Sequence, residues 1–342
     1  VRASAGTLDR VTLAYTGTDR QGQRVTGKVV GSPSEDSTRW TASERLEPGF
    51  TYTLTTVARG AADAAPSRQT SRFTTQRLTL DEQTFPTLQP FAGSTVGVGM
   101  PVILTFDVAV KDKAEFERHL TVTSIPAQPG SWHWFSDKEV HFRPASYWRP
   151  GTKVTVNADL NSVPAGRGVY GQQSSSTSFT VGRSLVTKID LDAKQARVYR
   201  NGDLVRRIPI SAGKSGWLTR SGTKLIMEKL PVTRMTNEMI GAEESYDLRV
   251  RYAMRVTWSG EFLHAAPWNA GKFGRVNASH GCVGMSTGDA SWLFGQVLAG
   301  DPVVTTGSSR GLEAGNGWTD WNVSYADYQR GSALGEGSGP QR

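Results

Sequence analysis

The chain has 342 residues, a hydrophobic fraction of 37% and one cysteine. That is enough for two or three packed domains, with no run of eighteen apolar residues for a membrane helix and no internal disulfide. Lys and Arg outnumber Asp and Glu by 39 to 31, giving a net charge of +8. The basic residues are scattered and not interleaved with aromatics, which argues against nucleic-acid binding and for a solvated basic surface. The opening Val1-Arg2-Ala3-Ser4-Ala5-Gly6-Thr7 is small and polar, so either the protein is cytosolic or an export segment has been removed.

An internal repeat organises the first half. Leu46-Glu47-Pro48-Gly49-Phe50-Thr51-Tyr52-Thr53-Leu54-Thr55 and Trp148-Arg149-Pro150-Gly151-Thr152-Lys153-Val154-Thr155-Val156-Asn157 align with a shift of 102 residues. Each copy is a Pro-Gly turn feeding an alternating strand, and each has a closing strand, Ser71–Thr75 and Ser178–Val181. A repeat of this length built from short strands predicts two tandem immunoglobulin-type β-sandwiches, over 1–76 and 77–182. In the second, Ser131–Phe135 and Val140–Phe142 read as a hairpin with one buried face, giving His133 and His141 structural roles.

A third, β-rich unit is expected over 183–306. Asn201-Gly202 between Gln195–Arg200 and Asp203–Ile210 is a strong two-residue hairpin signal, and further strands are expected at Lys224–Met227 and Val250–Val256. Thr287–Leu298 reads as a helix ending near Gly300. The polar stretch from Glu228 to Tyr246 is longer than a hairpin connection needs and suggests a mobile flap. The residues from 307 to 342 form an extension whose Gly- and Ser-rich end is flexible in composition.

The lone Cys282 closes Ser279-His280-Gly281-Cys282, with His264 fifteen positions before Ser279. A thiol titrates near pH 8.5, and an imidazole that takes its proton raises the reactive fraction. Gly281 suits a tight backbone whose N–H groups face a developing oxyanion. A lone cysteine is otherwise an inert small hydrophobe. A zinc site using His264, His280 and Cys282 lacks a second cysteine and any His-x-x-x-His pair, so no metal and no cofactor is expected.

The pattern of His264, fourteen intervening residues and Ser279-His280-Gly281-Cys282-Val283 resembles the signature of the L,D-transpeptidases, the YkuD-type domain that cross-links bacterial peptidoglycan. Gly260–Trp268 is similar to the family's strand and turn around its catalytic histidine. Gly317-Trp318-Thr319-Asp320-Trp321-Asn322 resembles the tail of members that carry two Ig-like domains in front. Two positions differ from the family: Gly284 stands where Asn is usual, and Ala265 where Ser is frequent.

The resemblance implies a mainly β protein in which Cys282 is the nucleophile, His264 the base and the Ala265 backbone carbonyl the group that holds the imidazole tautomer. Gly281 and Cys282 N–H groups would hold the oxyanion, Ser279 would fix the loop, and His280 would orient the turn or gate the acceptor. Tyr246 and Met227 fall where family members carry flap residues, Trp268 would wall the pocket and Gly284 would border the substrate; Met227 and Trp268 read equally well as core.

Implied partners are peptidoglycan stem peptides, as tetrapeptide donor and acceptor amine, with carbapenem-type β-lactams as inhibitors. The implied location is the periplasm or cell envelope after export. An L,D-carboxypeptidase using the same site, or a silent wall-binding scaffold, stands as the alternative.

Overall fold

The computed structural model describes residues 1–19, 22–60, 65–241 and 247–335. The fold is mainly β, with an Ig-like N-terminal region followed by a β-rich domain. The chain resolves into two compact units.

The first unit comprises Val1–Phe85, Phe106–His119 and Asp159–Ser175. Its main sheet orders Arg24–Lys28, Thr7–Thr18, Thr51–Arg59 and Ser67–Thr74, all antiparallel. Leu13, Val29, Trp40 and Tyr52 form its core. The Tyr52 hydroxyl accepts from the Glu47 N–H at 2.7 Å, tying the strand back to its own Pro-Gly turn. Both repeat glycines take positive φ, +73° at Gly49 and +81° at Gly151, which is the conformation the Pro-Gly pair supplies at low cost.

The second unit comprises Pro86–Thr105, Leu120–Ala158 and Ser176–Arg342. It opens with two four-stranded sheets. One orders Gly130–Trp134, Glu139–Pro144, Val102–Phe106 and Pro86–Gln89; the other orders Leu120–Ile125, Lys153–Ala158, Ser175–Val181 and Thr95–Val96. The expected hairpin forms, with Trp132 opposite Phe142 and His133 opposite His141. Its second face is covered as well: the His133 ring bonds the Tyr328 carbonyl at 2.8 Å and stacks on the Tyr328 ring, and the Trp134 N–H donates to the Gly331 carbonyl. The C-terminal extension therefore docks where the alternating pattern alone suggests solvent.

The rest of the second unit holds two further sheets. A five-stranded sheet contains β1 (Leu185–Asp190), β2 (Gln195–Arg200), β3 (Asp203–Pro209), β4 (Gly222–Leu225) and β9 (Pro302–Thr306), in the order β3-β2-β1-β9-β4. A four-stranded sheet runs β5 (Glu228–Thr236), β6 (Asp247–Arg255), β7 (Phe262–Ala265) and β8 (Val283–Met285). Asn201 and Gly202 both take positive φ, 50° and 96°, as a two-residue turn of type I′ requires.

Helix α1 spans Thr287–Gln296 and is capped by Ser286, whose hydroxyl accepts from the Asp289 N–H. It follows β8 directly, and its Ala290 and Leu293 pack with Ile189, Val198, Met254, Leu263, Val283 and Met285 in one buried cluster. Burying side chains of this size contributes about 1.5–3 kcal/mol each, which makes the β7–β8 platform a rigid base for the groups it carries.

Candidate active site

Strands β7 and β8 run parallel, with Leu263 opposite Val283, His264 opposite Gly284 and Ala265 opposite Met285. Successive side chains of a strand point to opposite faces. Leu263, Ala265, Val283 and Met285 therefore enter the core, while Phe262, His264, Cys282 and Gly284 line a cavity of about 550 Å³. Sequence alternation and parallel pairing together place the imidazole and the thiol on one wall.

The His264 Nδ1 lies 2.8 Å from the Ala265 carbonyl oxygen. As an N–H donor there, it leaves Nε2 with the lone pair. Burial pushes the ring's pKa down, opposed by the carbonyl contact, so the ring is neutral near pH 7. The Cys282 thiol donates to the Gly260 carbonyl at 3.5 Å; no hydrogen bond joins it to the ring among the described residues. Burial pushes the thiol up to about 12, opposed by the Phe262 amide. At rest the site thus holds a neutral thiol and a neutral imidazole, the protonation states from which a base can remove a proton during attack.

The nucleophile turn is tightly bonded. The Ser279 hydroxyl donates to the Cys282 carbonyl at 2.6 Å and accepts from the Gly281 N–H at 3.1 Å. Gly281 has φ +119°, and a methyl group on its Cα would meet no atom closer than 3.8 Å, so backbone conformation, not space, requires glycine. The Thr219 hydroxyl donates to the Gly281 carbonyl at 2.7 Å and accepts from the Gly213 N–H at 2.9 Å. The His280 ring meets Trp217 edge-on at 5.3 Å and borders the cavity with Ser279.

At Gly284 the constraint is different. A Cβ there would stand 2.8 Å from the Ala266 methyl, so Ala266 fills the space a side chain at 284 would take. Trp268 lines the cavity, half exposed, and stacks over His264 with centroids 6.0 Å apart. Met227 is buried and not among the lining residues; its sulfur lies 3.1 Å from where a Cβ on Gly317 would be. Tyr246 lies outside the described residues. Thr233–Thr236, Leu248 and Val250, from the β5–β6 hairpin, complete one side of the cavity.

Sequence reasoning missed a charged cluster behind the cysteine. Glu261 is buried and pairs with Arg220 Nη1 at 2.9 Å and Lys224 Nζ at 2.7 Å, both buried too. Glu261 lies 41 and 37 residues from Arg220 and Lys224, with no motif to join them. The only hint was a carboxylate, Glu261, directly before the strand Phe262–Ala265. Among the described residues no group of three His, Cys, Asp or Glu is placed to hold a metal ion.

Comparisons with known proteins give the chain's family. A bacterial Ig domain model matches residues 1–164, and an L,D-transpeptidase catalytic domain model of the YkuD type matches residues 186–305. L,D-transpeptidase 2 of Mycobacterium tuberculosis (strain CDC 1551 / Oshkosh) is 32% identical over 335 residues, covering 96% of this chain and 80% of its own. L,D-transpeptidase 5 of the same species (strain H37Rv) is 36% identical over 318 residues, covering 90% and 69%. The solved structure of LD transpeptidase LdtMt1 in complex with imipenem is similar at a TM-score of 0.56 and 32% identity, over 64% of this chain and 97% of that one. With an aligned relative spanning nearly its whole length and a catalytic-domain match over the strands that carry Cys282 and His264, the chain belongs to the L,D-transpeptidase family.

Proposed function

We propose that this L,D-transpeptidase uses Cys282 to form 3→3 peptidoglycan cross-links from a tetrapeptide donor. The observation that carries the reading is the placement of Cys282 and of His264, its tautomer set by the Ala265 carbonyl, on one wall of a single cavity. A short side-chain swing takes the thiol from Gly260 to the lone pair of His264 Nε2. The sulfur then attacks the carbonyl of the donor's third residue, a diamino acid, at its L-centre, and its proton passes to Nε2. The C–N bond to the terminal D-alanine breaks, and that amine leaves with the proton from His264. An amine from a second stem peptide attacks the thioester, giving its proton to the ring and then to the returning thiolate.

Backbone N–H groups at Cys282 and Gly281 serve the oxyanion, each worth on the order of 3 kcal/mol in the transition state. The Gly281 N–H rests on Ser279, so it joins when that hydroxyl turns. Carbapenems acylate the same sulfur, and the site of action is the cell envelope, where the substrate is. No helix among the described residues is long and apolar enough to cross a membrane.

Incubation with a disaccharide tetrapeptide tests the reading. A cross-linked dimer with release of D-alanine is the expected product. Release without dimer makes the protein an L,D-carboxypeptidase, and neither product together with no carbapenem adduct makes it a scaffold.

A further inference from the structure

Three segments meet behind the nucleophile. Glu261 accepts from the Arg220 N–H at 3.0 Å and from Arg220 Nη1 at 2.9 Å on one oxygen, and from Lys224 Nζ at 2.7 Å on the other. Arg220 Nε also bonds Glu313, whose carboxylate accepts from Asn316 at 2.9 Å. Asn316 in turn accepts from the Ser259 N–H at 2.9 Å. The cluster is tied to backbone that leads to the sulfur, through the Arg220 and Ser259 N–H groups. Glu261 follows Gly260, the acceptor of the thiol, and precedes Phe262, whose amide favours the thiolate. Arg220 follows Thr219, whose hydroxyl holds the Gly281 carbonyl. The Glu261 Oε1 lies 3.8 Å from where a Cβ on Gly281 would be.

Such a cluster is costly. Replacing a buried ion network by apolar residues is often neutral or stabilising, so packing alone does not explain three charges at this depth. Arg220 is shared between Glu261 and Glu313, so the four charges balance, and the Lys224 ammonium held on Glu261 is the cluster's cation that acts on the sulfur.

We propose that Lys224 and Glu261 are positioning residues for the nucleophile: the buried cluster fixes the Gly260–Phe262 and Thr219 supports of Cys282, and Lys224 supplies the charge that offsets thiolate formation. Among the described residues, the charged groups that act on the sulfur are Glu261, Lys224 and Arg255, and His264 and His280 line the same cavity. The two key residues act with opposite sign on the sulfur, since Glu261 opposes the thiolate and Lys224 favours it.

Alkylation of Cys282 by iodoacetamide, followed by mass spectrometry on the full chain, tests this without reference to the peptide reaction. At pH 8, Lys224→Met slows alkylation about tenfold, the effect of one pKa unit. Lys224→Arg restores the rate to within about twofold by keeping the charge, and Glu261→Gln speeds it. A purely structural role gives slowing in both Lys224→Met and Glu261→Gln, or no change in the lysine variant; either result overturns the proposal. If Lys224→Met does not fold, the arginine and glutamine variants decide alone: slowing in both overturns it. A second arm, which rests on the proposed transpeptidase reading, expects kcat to fall about tenfold in Glu261→Gln with KM little changed. If the alkylation pattern holds while no peptide reacts, the positioning role stands and the assigned reaction falls.

Discussion

His141 and Asp320, 179 residues apart, meet at 2.9 Å inside the second unit. Burial pulls the His141 pKa down, but Asp320 and Glu139 outweigh it and hold it up at about 9. Asp320 is held below the usual carboxylate range by His141 and Tyr328, against its burial. The raised histidine stabilises fully below its unfolded value near 6.5 and loses that contribution as pH rises through about 9. The depressed aspartate stabilises above its unfolded value and loses that contribution in acid.

Stability is therefore expected to be highest between the unfolded values of Asp320 and His141 and to fall by about 3 kcal/mol from pH 6 to pH 9.5. Urea unfolding at the two pH values measures this. In His141→Gln the alkaline loss disappears, and the variant is less stable at pH 6 by about 3 kcal/mol, because Asp320 is left buried without its cation.

The low pKa of His264 sets the acid limb of the reaction. A base must be neutral to accept the thiol proton, and burial keeps this ring neutral to below its ordinary value of 6.5. Acylation by a carbapenem, followed by mass spectrometry, should keep more than half its pH 7 rate at pH 6.5. A rate that halves at or above pH 6.5 contradicts a depressed imidazole. His264→Ala lowers kcat by about 10²-fold or more with a smaller change in KM.

Ser279→Ala removes two bonds from the nucleophile turn, to the Cys282 carbonyl and from the Gly281 N–H. Each is worth about 1 kcal/mol net. The expected result is a kcat lowered about tenfold, with the folded protein stable enough to purify; steady-state kinetics beside a thermal melt separates the two effects.

Gly284→Asn places a side chain against Ala266, 2.8 Å from its Cβ. Overpacking of this kind costs about 1–3 kcal/mol. The double variant with Ala266→Gly relieves it, so the two changes are non-additive by at least about 1 kcal/mol in a double-mutant cycle.

Among the described residues, Arg234, Arg255 and Lys272 line the cavity and no Asp or Glu does. Arg234 pairs with Asp247 and Arg255 with Glu228, whereas Lys272 has no acidic partner among the described residues. Lys272→Glu should raise KM about five- to tenfold for donors with a free carboxylate and change it little for the amidated peptide. Equal effects on both donors would assign the lysine no part in recognition.

Much of the site was legible in the sequence because its logic is local. Ser279, His280, Gly281 and Cys282 form one turn, and the alternation of β7 sends His264 to the same face as Cys282. The Asn201-Gly202 hairpin and the helix at Thr287 were legible for the same reason: turn chemistry and capping act within a few residues. Pairings that span the chain were not. Glu261 with Lys224, and His141 with Asp320, depend on loops whose closure leaves no periodic trace. Met227 sits at the end of an expected strand, but the Gly317 backbone packs on it, a neighbour that no local pattern announces.

The brace from Glu313 and Asn316 to Arg220 and Ser259 lies beyond residue 305, where the match to the catalytic-domain model stops. A minimal enzyme cut at that boundary would retain the sulfur and the imidazole while shedding the buttress under the loop that receives the thiol. Shortened versions made for inhibitor screening would then report a looser target than the intact chain presents.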